Sequence, residues 1–432
     1  MLHSSQVLDM RGRKFTQTAL FSTRQLNQWV PKNHRIRKLR LLVDHCLHEM
    51  DSVFEGMYDS GRGRESIAPE QLIRALVLQT LFSIRSERQL IEHLDYNMLY
   101  RWFVGLEIDA QVWHHSTFSA NRERLLKHEV IRGFFERVVE VAESLQLVSV
   151  EHFSVDGTLI QAFGAMKRFV KRDSSVVAEK SAASECEKPT VEAEKSSDHD
   201  ASATAIEVIT VETPLVTPTP EAETEPQAPA EPRPGKNPDV DFRGEKRVNA
   251  THFCETDPEA LSYRKGDNQA AQLSVMGHAL MENRHGLIVD AQLTQATGTC
   301  ERDSALQMAE RSIWHPDATL GADKAYDTKA YVEALENSGV SAHSAQNNKG
   351  RQSWISDTRA QTEGYKQSIR KRKQIEEYFG WVKSVAMLRK SRFVGIKRTA
   401  MAYMLSAAGY NLVRMVNLIG GYFKPFQGSC VL

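Results

Sequence analysis

The stretch Glu151-His-Phe-Ser-Val-Asp-Gly-Thr-Leu-Ile160 decides the fold. It reads as a β-strand with one carboxylate, Asp156, set among apolar neighbours. A lone charge in such a strand is unfavourable unless it is paired or bound to a metal ion. Gly157 beside it leaves room for close approach to the backbone. The competing reading is an Asp that caps or turns the chain.

Moving towards the C-terminus, residues 173–236 interrupt the pattern. They contain 8 of the 14 prolines, no aromatic residue, and 14 acidic against 5 basic side chains. Such a segment buries too little to offset its ordering entropy and is expected to be disordered. It is either a tolerated surface insertion or an acidic mimic of a polyanion. Beyond it, Leu273–Met281 and Gly286–Thr294 form two β-like runs joined by the polar turn Glu282–His285, a hairpin. Cys300–Trp314 reads as a helix and Ala318–Asp323 as a short strand ending on a carboxylate. Thr328–Asn337 reads as a helix, Val340–Gln346 as a strand, and Ile369–Lys390 as one long helix. This is the element order of a mixed α/β, RNase H-like fold with material inserted after its first strand. Asp156 is thus separated from the rest of the core by the acidic segment, which must loop out if the first strand is to join the sheet.

Towards the N-terminus the chain reads as helical. Pro69 opens one helix, and Leu72, Ile73, Leu76, Leu81 and Ile84 recur at helical spacing. Ser86 and Gln89 form a capping-box pattern. Ser116-Thr117 is placed to cap a further helix that would expose Asn121, Arg122 and Arg124 near its start. Two readings stand side by side: a helix-turn-helix reader of DNA, or a plain helical bundle with solvated arginines.

Three carboxylates qualify for phosphodiester chemistry, which needs rigidly held oxygen ligands for divalent ions. Asp156 is the first. Asp323 lies in Leu320-Gly-Ala-Asp-Lys-Ala-Tyr-Asp327, at the C-terminal end of a strand, where sites of α/β sheets gather. Asp327 is its rival but suits the cap of the following helix, and Lys324 is placed to meet phosphate. Glu376 lies in Arg370-Lys-Arg-Lys-Gln-Ile-Glu-Glu-Tyr-Phe-Gly-Trp-Val-Lys383. Arg372, Glu376, Gly380 and Lys383 share one helical stripe at the edge of an apolar face. Glu377 points about 100° further round.

The formal charge is zero, with 55 basic and 55 acidic residues, yet it is unevenly spread. Residues 1–172 hold 24 basic against 20 acidic, and residues 324–432 hold 18 against 7. Basic ends around an acidic middle are the footprint of a DNA binder. The five cysteines form no CxxC pair, which indicates neither a zinc site nor a disulfide framework and suits a reducing cytoplasm. No apolar signal core opens the chain. The apolar stretch 400–420 is broken by Asn411 and Arg414 and reads as an amphipathic core helix, not a membrane span.

The residues resemble the IS5-type DDE transposases of bacterial insertion sequences. The resemblance runs through Val30–His34, Ala75–Gln79, Arg85–Leu90, Leu94–Asn97, Tyr100–Leu106 and His152–Thr158. After the acidic segment it continues through Asn237–Arg247, Gly321–Asp327 and Arg372–Lys383. It implies an RNase H-like core whose metal ligands are Asp156, Asp323 and Glu376, and a helical N-terminal region that contacts terminal inverted repeats. The family signature Tyr-x2-Arg-x3-Glu-x6-Lys falls on Arg372, Glu376 and Lys383, with Ile369 at the Tyr position. Gly63-Arg-Glu65 departs from the family's usual Gly-Arg-Pro.

The expected organisation is therefore a helical DNA-binding region over 1–145 and a first part of the core over 146–172. A disordered insertion over 173–236 follows, then the remainder of the core with C-terminal helices over 237–432. The resemblance implies two Mg²⁺ ions (Mn²⁺ substituting), DNA as partner, a homodimer, no nucleotide cofactor, no membrane, and a cytoplasmic, nucleoid-associated location. Arg370, Lys371, Arg372, Lys373 and Lys383 are the expected phosphate contacts. The alternatives are a silent, captured transposase acting as a DNA-binding regulator, or an RNase H-like nuclease that cuts without joining.

Overall fold

The computed structural model describes residues 25–57, 66–172, 247–264, 266, 270–348 and 350–420. The segment 173–236, the Gly63–Glu65 departure and residues 237–246 lie outside these. The described residues fall into two units, one within 1–168 and 254–432 and a small one within 169–253. Phe169–Lys171 (β2) pairs with His252–Cys254 (β3), and the Phe169 ring stacks on His252 at 5.6 Å.

The large unit is built on a mixed sheet. The first strand, His152–Gln161 (β1), pairs antiparallel with Gln272–Glu282 (β5), placing Asp156 opposite Ala279. Ile288–Gln295 (β6) pairs antiparallel on the other edge of β5, so the expected hairpin forms. Leu261–Tyr263 (β4) pairs with the start of β5. Thr319–Ala322 (β7) lies parallel to β1, and Ser341–Ser344 (β8) parallel to β7. The sheet is antiparallel on one side of β1 and parallel on the other.

Strand alternation divides the core into two layers. Phe153, Val155 and Leu280 face the Cys300–Ser312 and Lys329–Asn337 helices through Ala305, Met308 and Leu335. Ile160, Val275, Ala279 and Met281 face the opposite way, into a core shared with the Ile375–Ser384 and Ile396–Leu418 helices. That second core also takes in the N-terminal helices, among them Arg35–His48, Pro69–Leu81 and Val130–Ser144. The boundary at 145/146 therefore divides helix from sheet but not one compact body from another.

Several local readings are corrected. The Ile396–Leu418 helix is not amphipathic: every residue from Met401 to Val413 is buried, because helices cover the side turned away from the sheet. Asn411 belongs there because it bonds both main-chain groups of Ile288, its Oδ1 accepting from the N–H at 2.8 Å and its Nδ2 donating to the carbonyl at 2.7 Å. The long helix expected over 369–390 is two helices, Glu363–Lys371 and Ile375–Ser384, joined through a 3₁₀ turn at Arg372–Gln374. The Asn121 helix spans His115–Lys127, and its cap is His114, not Ser116 or Thr117. Ser86 caps the next-but-one earlier helix as expected through the Gln89 N–H, while the Gln89 side chain accepts from Arg85 N–H. None of the described helices is long and apolar enough to cross a membrane.

Candidate active site

Asp156 and Asp323 lie two residues beyond the last paired positions of β1 and β7. Ser154 pairs with Gly321. A Cβ on Gly321 would lie 3.5 Å from the Ser154 hydroxyl, so these two positions face the same side. Asp323 keeps extended dihedrals, so the same register continued would set it level with Asp156 on that side. β7 stops at Ala322, so Asp323 leaves the sheet there and accepts the Lys324 N–H to open a 3₁₀ turn. Asp156 accepts from the Gly157 N–H at 2.8 Å, and its other oxygen lies 3.7 Å from the Arg372 guanidinium. Both side chains of that pair are largely shielded from solvent.

The 3₁₀ turn at Arg372–Gln374 is what presents Arg372 to Asp156. Glu376 follows one turn on, at the start of the Ile375–Ser384 helix, and is exposed. Glu377 is also exposed and lies 3.6 Å from Arg414. Asp156 and Asp323 have the hard oxygen donors that suit Mg²⁺ or Mn²⁺. Among the described residues no three His, Cys, Asp or Glu side chains close on a single point.

Asp327 has a different task from the one expected. It caps no helix: Thr328 is at the cap position, and Asp327 is fully buried. Its carboxylate accepts from the N–H of Asn347 at 2.7 Å and of Trp354 at 2.9 Å, tying down the loop after β8. Sequence reading also passed over Glu282. It is completely buried at the hairpin turn and accepts four backbone N–H groups, from Ser149, Arg284, His285 and Leu287. Such a carboxylate is satisfied by its own turn.

The expected basic contacts separate into two groups. Arg370, Lys371 and Lys373 are exposed around the 3₁₀ turn. Lys383 lines a hollow of about 630 Å³ with Gln161, Tyr263, Gln272 and Arg389. The N-terminal group does not form a reading face. Asn121 and Arg122 are 7% and 9% exposed. Asn121 donates to the Thr117 carbonyl, and Arg122 pairs with Glu87 and Glu123 and lies 4.9 Å over the Phe393 ring. Arg124, half-buried, donates to Asn121. These residues bind the helices together, and Asn121 and Arg122 present little surface.

Residues 247–412 match the family described as Transposase DDE domain, and residues 24–124 match the one described as Transposase domain (DUF772). Together the two matches support a DDE transposase of an insertion sequence, and the DDE domain implies an RNase H-like core. Asp323 and Glu376 fall inside the DDE match, whereas β1 with Asp156 lies between the two matched ranges. No curated protein and no solved structure gave a match.

Proposed function

We propose that the chain is an IS5-type transposase that binds the terminal inverted repeats of its element, cuts the ends, and joins the freed 3′ hydroxyls to target DNA. The parallel pairing of β1, which carries Asp156, with β7, which ends next to Asp323, supports this reading most directly. Asp156, Asp323 and Glu376 are the proposed ligands for two divalent ions, Mg²⁺ with Mn²⁺ substituting. When bound, such ions activate the attacking oxygen and stabilise the leaving one. The chain's own residues then do the positioning. β1 and β7 fix the two aspartates from a packed core, and Arg372 holds Asp156 in its orientation. Glu376 is carried on the helix that follows the 3₁₀ turn, so the geometry of that turn sets its distance from the sheet. Arg370, Lys371, Lys373 and Lys383 hold DNA phosphates, which makes binding weaken as salt rises. The chain acts as a homodimer holding both ends, needs no nucleotide, and works in the cytoplasm at the nucleoid.

Joining separates this reading from that of a nuclease. A pre-cut element end with a free 3′ hydroxyl, incubated with the protein, a divalent ion and a plasmid, is expected to yield end–plasmid joints. Cut products with no joints would leave a nuclease instead, and bound DNA with neither cuts nor joints a silent regulator.

A further inference from the structure

A strip of basic side chains leads from the end of β1 to the N-terminal helices. Arg372 meets Asp156 just before the Ile375–Ser384 helix, and Lys383 near its end shares the hollow with Gln161. Helix and strand therefore run side by side in one direction. Past the helix, the chain turns onto the edge of β1 that β7 leaves free. There the Gln161 N–H donates to the Arg389 carbonyl at 3.1 Å, and the Ser391 N–H donates to the Gln161 carbonyl at 2.7 Å. Arg392 then reaches the turn between the Pro69–Leu81 and Glu87–Tyr96 helices. It donates to the carbonyls of Ile84 at 3.1 Å and Arg85 at 2.8 Å. The Ser83 hydroxyl ties the same turn to the Val385 carbonyl at 2.8 Å. The turn is thus fixed against the segment that leaves the site.

The charge along this path is of one sign. Arg85, Arg88, Arg389 and Lys390 are exposed. Among the described residues none of these four has an ion-pair partner. The acids close behind are already taken: Glu87 pairs with Arg122, and Glu123 with Arg122 and Arg398. Like charges gathered without counter-ions repel, and a polyanion along them relieves that repulsion. Five residues of strand separate Asp156 from Gln161, about 16 Å. That is the rise of about five base pairs of B-form duplex.

We propose that this strip is a track for duplex DNA. Lys383, Arg389 and Lys390 hold the phosphates nearer the cut, and Arg85 and Arg88 hold the backbone more than about five base pairs inward. This rests on the DNA-cutting reading above. The test is fluorescence anisotropy of a labelled random-sequence duplex of about 30 base pairs with the full-length chain, at several salt concentrations. A random sequence suffices because phosphate contacts carry no sequence information. Arg85→Gln with Arg88→Gln, and separately Arg389→Gln with Lys390→Gln, should each flatten log affinity against log salt by about 2, at about 0.9 per lost contact. Their melting temperatures should match the parent's. Lys329→Gln with Lys366→Gln, which removes two exposed cations paired with Glu333 and Glu363 on other helices, should keep the parent slope. Parent slopes in both strip variants overturn the track. An equal fall in the Lys329 and Lys366 variant also overturns it, since net charge and not place would then matter. A fall in the Arg389 and Lys390 variant alone overturns the extension to Arg85 and Arg88. A parent chain that binds no duplex overturns the DNA-cutting reading together with the track.

Discussion

Single side chains set both the chemistry and the pH range of this fold. His278 lies on β5 opposite Gly157, fully buried, with Nε2 against the Thr294 hydroxyl at 2.8 Å. Burial pushes it from 6.5 down to about 3, so it stays neutral in the folded chain. His343, bonded to Ser368, is lowered to about 4 by burial first, then by Arg359 and His152. In the unfolded chain both imidazoles take up protons at their ordinary value. Between that value and 3–4 the unfolded state therefore binds more protons. Stability is complete above about pH 6.5 and is lost as the pH falls towards 3. Urea titrations of His278→Asn across this range should show a shallower fall than the parent chain. An identical slope would mean that His278 is not held neutral by the fold. Buried carboxylates behave differently. Glu282 and Asp327 are enclosed by backbone N–H donors, and their sequence contexts looked like a polar turn and a helix cap. A carboxylate's use is fixed by which amides converge on it, and no local pattern carries that information.

At the level of elements, much was legible. β1, the β5–β6 hairpin, β7 and β8 stand close to where their runs and turn residues put them, because period and turn chemistry are local properties. The pairing of β1 with β7 was approachable from order and element type, but its register is tertiary. The break at Arg372–Gln374 was hidden, since no Gly or Pro marks it. The Ile396–Leu418 helix misled for the reverse reason: Asn411 looked like the mark of a wet face, yet it pairs with a strand residue inside the core. Asn411→Leu removes both partners of the buried Ile288 N–H and C=O, and each group left unsatisfied costs about 1–3 kcal/mol. A loss of about 2–5 kcal/mol in unfolding free energy is expected from chemical denaturation. A loss under about 1 kcal/mol would show that Ile288 finds other partners.

Over the whole molecule, the large unit joins the N-terminal helices and the sheet in one core. The N-terminal helices bury their apolar faces against the Ile396–Leu418 helix, which in turn packs on β6 and β5. Asn121 and Arg122 are buried, whereas Arg370, Lys371 and Lys373 beside Arg372 are exposed. We propose that Asp156, Asp323 and Glu376 act as one phosphodiester site. Its most direct measurement is cleavage of end-containing DNA by the three single alanine variants, with binding of the same DNA measured alongside. The account predicts that Asp156→Ala, Asp323→Ala and Glu376→Ala each lose cleavage by about 10³-fold or more while still binding the end. Normal cleavage by all three would contradict it.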